Sequence, residues 1–113
     1  MRNQTQRLLN QVARPEVYEE TLITSNGVPI ALSIWKARPD DPCLVFLPAT
    51  MTHPLFYEEF LDALALAGFN VVGVHFQNHG KSPRLKRLYS FDDMVQNARD
   101  AAGYARQRFG TPP

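Results

Sequence analysis

The stretch VVGVHFQNHGKS, residues 71–82, decides how this chain is read. Val71, Val72 and Val74 with Gly73 make a short, continuous apolar run, the pattern of a strand buried on both faces. The run passes straight into a polar turn carrying His79, Gly80 and Ser82. Many enzymes present a loop at the edge of a sheet in this way, so the stretch is either part of a site or the approach to one.

Working outward, the run CLVFL, which starts at Cys43 and ends at Leu47, has the same continuous apolar character and predicts a second strand covered on both faces. Between the two lies a helical pattern. Phe56, Phe60, Leu64 and Ala67 recur every three or four residues, Tyr57 and Leu61 widen the stripe, and Glu58, Glu59 and Asp62 take the other side. Glu58 and Glu59 near its start suit the helix dipole, and Gly68 supplies the stop.

Downstream, Ser90 with Asp93 predicts a capping box, with Asp in place of the usual Glu. Phe91, Met94, Val95, Ala98, Ala102, Ala105 and Phe109 then form an apolar stripe of helical period that Gly110 ends. Upstream, two strand-like runs at residues 17–24 and 28–35 flank Ser25-Asn26-Gly27, a hairpin signal because Asn and Gly tolerate positive φ. Residues 1–16 read as a separate arm. Within it, residues 3–13 predict a short helix with Leu8, Leu9 and Val12 on one side, closed before Pro15. Residues 17–113 are then one unit in the order hairpin, strand, helix, strand, helix, which implies a mixed sheet passing from antiparallel to parallel.

Composition narrows the function classes. A chain of 113 residues supports one small domain, and its 44% hydrophobic and 20% charged content is ordinary for a globular protein. A net charge of +1 gives no general attraction to nucleic acid or anionic lipid, and the basic cluster at residues 81–87, lacking interleaved aromatics, reads as a solvated loop. One cysteine, Cys43, cannot form an intrachain disulfide, and no metal-ligand spacing is present. The residues imply no cofactor. The N-terminus has no signal-peptide core and no apolar run approaches the length of a membrane span, so a cytoplasmic protein is expected.

These residues also carry a family resemblance. HFQNHGKS is similar to the Asp-x-Arg-Gly-His-Gly-x-Ser segment after the fourth strand of α/β-hydrolases of the lysophospholipase-like and serine-aminopeptidase-like kind. His79, Gly80 and Ser82 match, whereas His75, Gln77 and Asn78 stand where Asp, Arg and Gly are usual. LVFLPATMTH resembles the family's strand followed by His-Gly-x, with Pro48 and Ala49 in place of His and Gly. The likeness covers residues 17–110. It implies an incomplete α/β-hydrolase fold: an N-terminal antiparallel hairpin leading into a parallel sheet with flanking helices.

The chemistry so implied is hydrolysis of an ester, thioester or amide through a serine acyl-enzyme. The turn after the first buried strand would give a backbone N–H to the oxyanion hole, from Thr50 by position or from Met51 as the near alternative. His79 and Gly80 would shape their loop, and Ser82 is expected to bond nearby backbone. The family's Gly-x-Ser-x-Gly nucleophile elbow does not occur in these 113 residues, so the chain is expected to be inactive alone.

In the resembled fold the strand from Cys43 to Leu47 lies beside the elbow strand. Without it that edge is expected to pair with a companion chain or with a second copy. Two further readings stand beside this one. A non-catalytic interaction module would use the same edge. An independent small enzyme would need a His79–Ser82 pair, which no third group orients, or a Cys43 thiolate, which no adjacent cation favours. His53, just after the turn, reads as a solvated loop histidine, and His75 as a residue bracing the loop through a hydrogen bond.

Overall fold

The structure is a computed structural model and describes residues 17–49, 51–86 and 89–110. The N-terminal arm and its expected helix lie outside the described residues, as does Thr50. Strands β1 (Tyr18–Ser25) and β2 (Val28–Trp35) form the expected hairpin, with Asn26 and Gly27 both at positive φ in its two-residue turn. After β3 (Cys43–Phe46), a 3-10 turn (Pro54–Tyr57) leads into helix α1 (Glu58–Leu66). Strand β4 (Asn70–His75) and helix α2 (Phe91–Phe109) complete the order.

The four strands lie in the order β1-β2-β4-β3, with β4 antiparallel to β2 and parallel to β3. Alternation along the strands sends side chains to two faces. On one face Ile30, Leu32, Ile34, Cys43, Val72, Val74 and Phe76 pack with Ala101 and Ala105 of α2. On the other, Trp35 and Val71 pack with Leu61 and Ala65 of α1, joined by Tyr18, Phe46 and Tyr57. The result is a three-layer α/β arrangement whose central strand, β4, is buried along its whole length.

The helix phases differ from the apolar stripes. On α1 the buried residues are Leu61 and Ala65, while Phe56 and Phe60 are 67% and 57% exposed. This segment is apolar around most of its girth, so periodicity leaves its rotation open. A contact at its entry fixes the rotation. An added Cβ on Gly73 would lie 2.8 Å from Pro54, so glycine in β4 lets the 3-10 turn rest directly on the sheet. On α2 the buried line is Asn97, Ala101 and Ala105, and Phe91 is 74% exposed.

A polar residue belongs to that line because of its bonds. Asn97 Oδ1 accepts from the Gln77 N–H at 2.9 Å and its Nδ2 donates to Ser25 Oγ at 2.8 Å, tying α2 to the ends of β4 and β1. The Ser90–Asp93 capping box forms as expected. Strand β3 ends at Phe46, one residue short of expectation, and only Cys43 of its four residues is buried. It is the sheet's edge, and Leu44 and the following Leu47 are exposed. Among the described residues no helix is long and apolar enough to cross a membrane.

Replacing Asn97 by Ala strands a buried N–H and a buried hydroxyl together. The expected cost is about 1–3 kcal/mol, read as a lower urea midpoint with an unchanged m-value.

Candidate functional site

The candidate site lies where β3 and β4, the parallel pair, deliver their carboxyl ends, the position at which open α/β sheets bind ligands. Beyond β3 the chain makes a tight turn: Thr52 donates to the Ala49 carbonyl from its N–H at 3.0 Å and from its hydroxyl at 2.6 Å. Met51 occupies the left-handed region at φ 66°, unusual for an unbranched side chain, and is 82% exposed. Its side chain faces solvent at the mouth of the turn. The geometry at Thr50 lies outside the described residues.

His53 follows the turn and is not a freely solvated loop residue. Its ring stacks on His75 with centroids 5.6 Å apart and 18° between planes, and it lies 4.5 Å from the Phe56 ring. Its Nδ1 is buried with no hydrogen-bond partner among the described residues. Burial first, then the positive charges of Arg84 and Lys81, push its pKa down.

The loop beyond β4 is held chiefly by backbone. The His79 N–H donates to the Phe76 carbonyl at 2.8 Å, its ring Nδ1–H donates to the Gln77 carbonyl at 2.8 Å, and the Ser82 N–H donates to the His79 carbonyl at 3.0 Å. Ser82 is buried: its hydroxyl donates to the His75 carbonyl at 2.5 Å and accepts from the Ala31 N–H at 2.8 Å. Gly80 sits at φ 51°, where an added Cβ would lie 2.2 Å from His75 Nδ1 and 2.6 Å from His53 Cβ. Glycine here is a spatial requirement, since it lets the loop close over two stacked imidazoles.

His79 and Ser82 do not form a base–nucleophile pair. The hydroxyl is engaged by backbone on both sides, and the His79 ring leans on Tyr89 with centroids 5.2 Å apart. Cys43 is equally unsuited to nucleophilic attack, its thiol pushed up to about 11 by burial. No cluster of three or more His, Cys, Asp and Glu among the described residues could hold a metal ion.

The residue the sequence reading undervalued is His75. It is completely buried, its Nε2 lies 2.7 Å from Ser33 Oγ, and its Nδ1 accepts from the Lys81 N–H at 3.0 Å. Burial, followed by the neighbouring His53, pushes its pKa down to about 4. The available signal was a histidine where the resembled segment has Asp. Gln77 is likewise fully buried, and neither end of its amide finds a partner among the described residues.

No protein-family model and no curated protein sequence matches the chain. Solved structures do. A thioesterase domain from the curacin biosynthetic pathway superposes with a TM-score of 0.70 at 24% identity, over 77% of this chain and 31% of that one. An alpha/beta hydrolase from Novosphingobium aromaticivorans gives 0.66 at 21% identity over 78% of this chain and 32% of its own. An esterase from Pyrococcus furiosus gives 0.66 at 16% identity over 86% of this chain and 40% of its own. The chain thus has an incomplete α/β-hydrolase fold, and it spans about a third of the length of the first two of these structures.

Two outcomes follow from the packing around His75. Gly80→Ala forces a methyl group into both imidazoles and is expected to cost about 1–3 kcal/mol, measured by chemical unfolding. The folded-state pKa of His75 lies below its ordinary 6.5, so the native protein binds fewer protons than the unfolded chain. The stability contributed is complete above pH 6.5 and is lost as pH falls toward about 4. A pH series of melting temperatures should show that acid-side loss, and His75→Gln, which keeps a donor and an acceptor without titrating, should flatten it.

Proposed function

We propose that this chain forms the oxyanion-side part of a serine hydrolase acting on an ester, thioester or amide through an acyl-enzyme. The observation that carries this reading is the superposition of the chain on about a third of the length of solved hydrolases, thioesterase and esterase among them. In it, the turn after β3 presents the backbone N–H of Thr50 or Met51 to the developing oxyanion. A left-handed residue at Met51 supports the turn, because such a conformation tilts successive N–H groups toward one side. His79, Gly80 and Ser82 shape the adjoining loop through the bonds described above.

The nucleophile, its acid and its histidine come from polypeptide outside these 113 residues, since no Gly-x-Ser-x-Gly occurs within them. The elbow strand would pair with β3, whose outer edge has no strand partner among the described residues and whose exposed Leu44 and the following Leu47 would receive it. Its single cysteine is buried and unpaired, which suits a reducing cytoplasm.

The purified chain is expected to release no p-nitrophenol from short-chain p-nitrophenyl esters and to take no fluorophosphonate label. Co-expression with a segment carrying an elbow strand, an acid and a histidine should restore both. Turnover by the 113-residue chain alone that is lost on His79→Ala would overturn the reading.

The outer edge of β3, unpaired among the described residues, also supports a second reading, a non-catalytic module that pairs through that edge with a second copy of itself. Size-exclusion chromatography separates the two. A dimer that Leu44→Lys and Leu47→Lys together convert to monomer favours the module, and a monomer at all concentrations rejects it.

A further inference from the structure

On the α1 face of the sheet, beside the candidate site, five residues from four segments join in a closed hydrogen-bonded circuit. Its proton direction is fixed from two ends. At one end the Lys81 backbone N–H donates to His75 Nδ1 at 3.0 Å, so that nitrogen carries no proton and the neutral ring holds its proton on Nε2. Nε2–H then donates to Ser33 Oγ at 2.7 Å.

At the other end stands Glu20. Burial works to raise its pKa, but the Tyr18 hydroxyl and Lys81 outweigh that and hold the carboxyl ionised, able only to accept. Tyr18 therefore donates its one proton to Glu20 Oε2 at 2.5 Å, and its oxygen accepts from Ser33 Oγ at 2.8 Å. The Lys81 ammonium closes the ring on the same Glu20 oxygen at 2.9 Å. Lys81 thus enters twice, through its main chain and through its side chain. Both ends require the same orientation of every hydrogen bond between them, and no member is left over.

The circuit reaches the candidate site through one contact. The His75 ring, held on both nitrogens, is the surface on which His53 stacks at 5.6 Å, and Gly80 packs against both. His53 is two residues beyond Met51 and has no hydrogen bond from Nδ1 among the described residues, so stacking and packing set its position. We propose that Tyr18, Glu20, Ser33 and Lys81 are positioning residues that act through His75 to seat His53 and the turn before it. Edge-strand residues on β1 thereby set the geometry of the turn beyond β3, the strand at the opposite edge of the sheet.

What the turn does rests on the hydrolytic reading, but the coupling itself does not. Magnetic resonance of the 113-residue chain without substrate therefore tests it separately. Glu20→Ala removes the acceptor of Tyr18 and the partner of Lys81 from an exposed site, and Tyr18→Phe removes one hydroxyl while keeping the ring against Trp35. Each is expected to speed hydrogen exchange at the Lys81 amide by roughly fivefold or more, the factor for one lost hydrogen bond, and to shift the His53 ring resonances.

Glu19→Ala is the control, since Glu19 points to the opposite face and pairs with Arg108 and Lys36. It should leave both readouts unchanged. The proposal fails if the Lys81 amide and the His53 ring are as in wild type in Glu20→Ala and Tyr18→Phe, or if Glu19→Ala moves them equally. If the coupling holds while no complementing segment restores ester turnover, the hydrolytic reading falls alone.

Discussion

Strand β4 is hydrogen-bonded antiparallel to β2 on one side and parallel to β3 on the other, and all six of its residues are buried. Its two edges demand different partners, and its two faces demand different helices. Val72 and Val74 meet Ala101 and Ala105 of α2, while Val71 meets Leu61 and Ala65 of α1. Gly73 admits Pro54 where any side chain would collide. Because β3 and β4 run the same way, the connections that leave their carboxyl ends must emerge side by side. The juxtaposition of the turn after β3 and the loop after β4 is therefore a consequence of strand direction.

A second constraint follows where β4 ends. His75 completes the strand as a fully buried histidine, and a charge there would be poorly solvated. The surrounding bonds suit the neutral form: a backbone donor on one nitrogen and a hydroxyl on the other. Ser82 closes the same loop by bonding the His75 carbonyl and the β2 backbone at Ala31. Asn97 does the equivalent on the opposite face, satisfying the Gln77 N–H. Ser82 and Asn97 thus fasten the loop to the sheet and to α2 through buried, paired polar groups, the kind of contact that makes such loops rigid.

Surface ion pairs extend the fastening. Arg108 near the end of α2 makes a two-pronged contact with Glu19 on β1, and Lys36 joins from the end of β2. The Glu19 carboxyl is held down to about 2, chiefly by Arg108. Exposed pairs of this kind contribute little individually. Their position is more telling than their strength, since they hold the last turn of α2 over the hairpin that starts the sheet.

The hairpin at Asn26-Gly27, the two apolar strands, the Ser90 cap and the order of elements were legible because they depend on neighbours in sequence: turn chemistry, apolar runs and local capping bonds. The loop residues His79, Gly80 and Ser82 were legible as a group, since a polar turn after a buried strand is a local pattern. Helix rotation was not. Phe56, Phe60 and Phe91 fit apolar stripes yet face outward, because Pro54 on Gly73 and Asn97 on Gln77 set the phases, and those contacts join residues distant in the chain. The role of His75 was hidden for the same reason. Its neighbours in sequence mark it as a strand end, but its protonation is decided by Ser33, Lys81 and His53, which only folding brings to one place. Local chemistry was written in the residues themselves, whereas every feature that depends on which face meets which, and on what surrounds a buried polar atom, came from the packing of the layers.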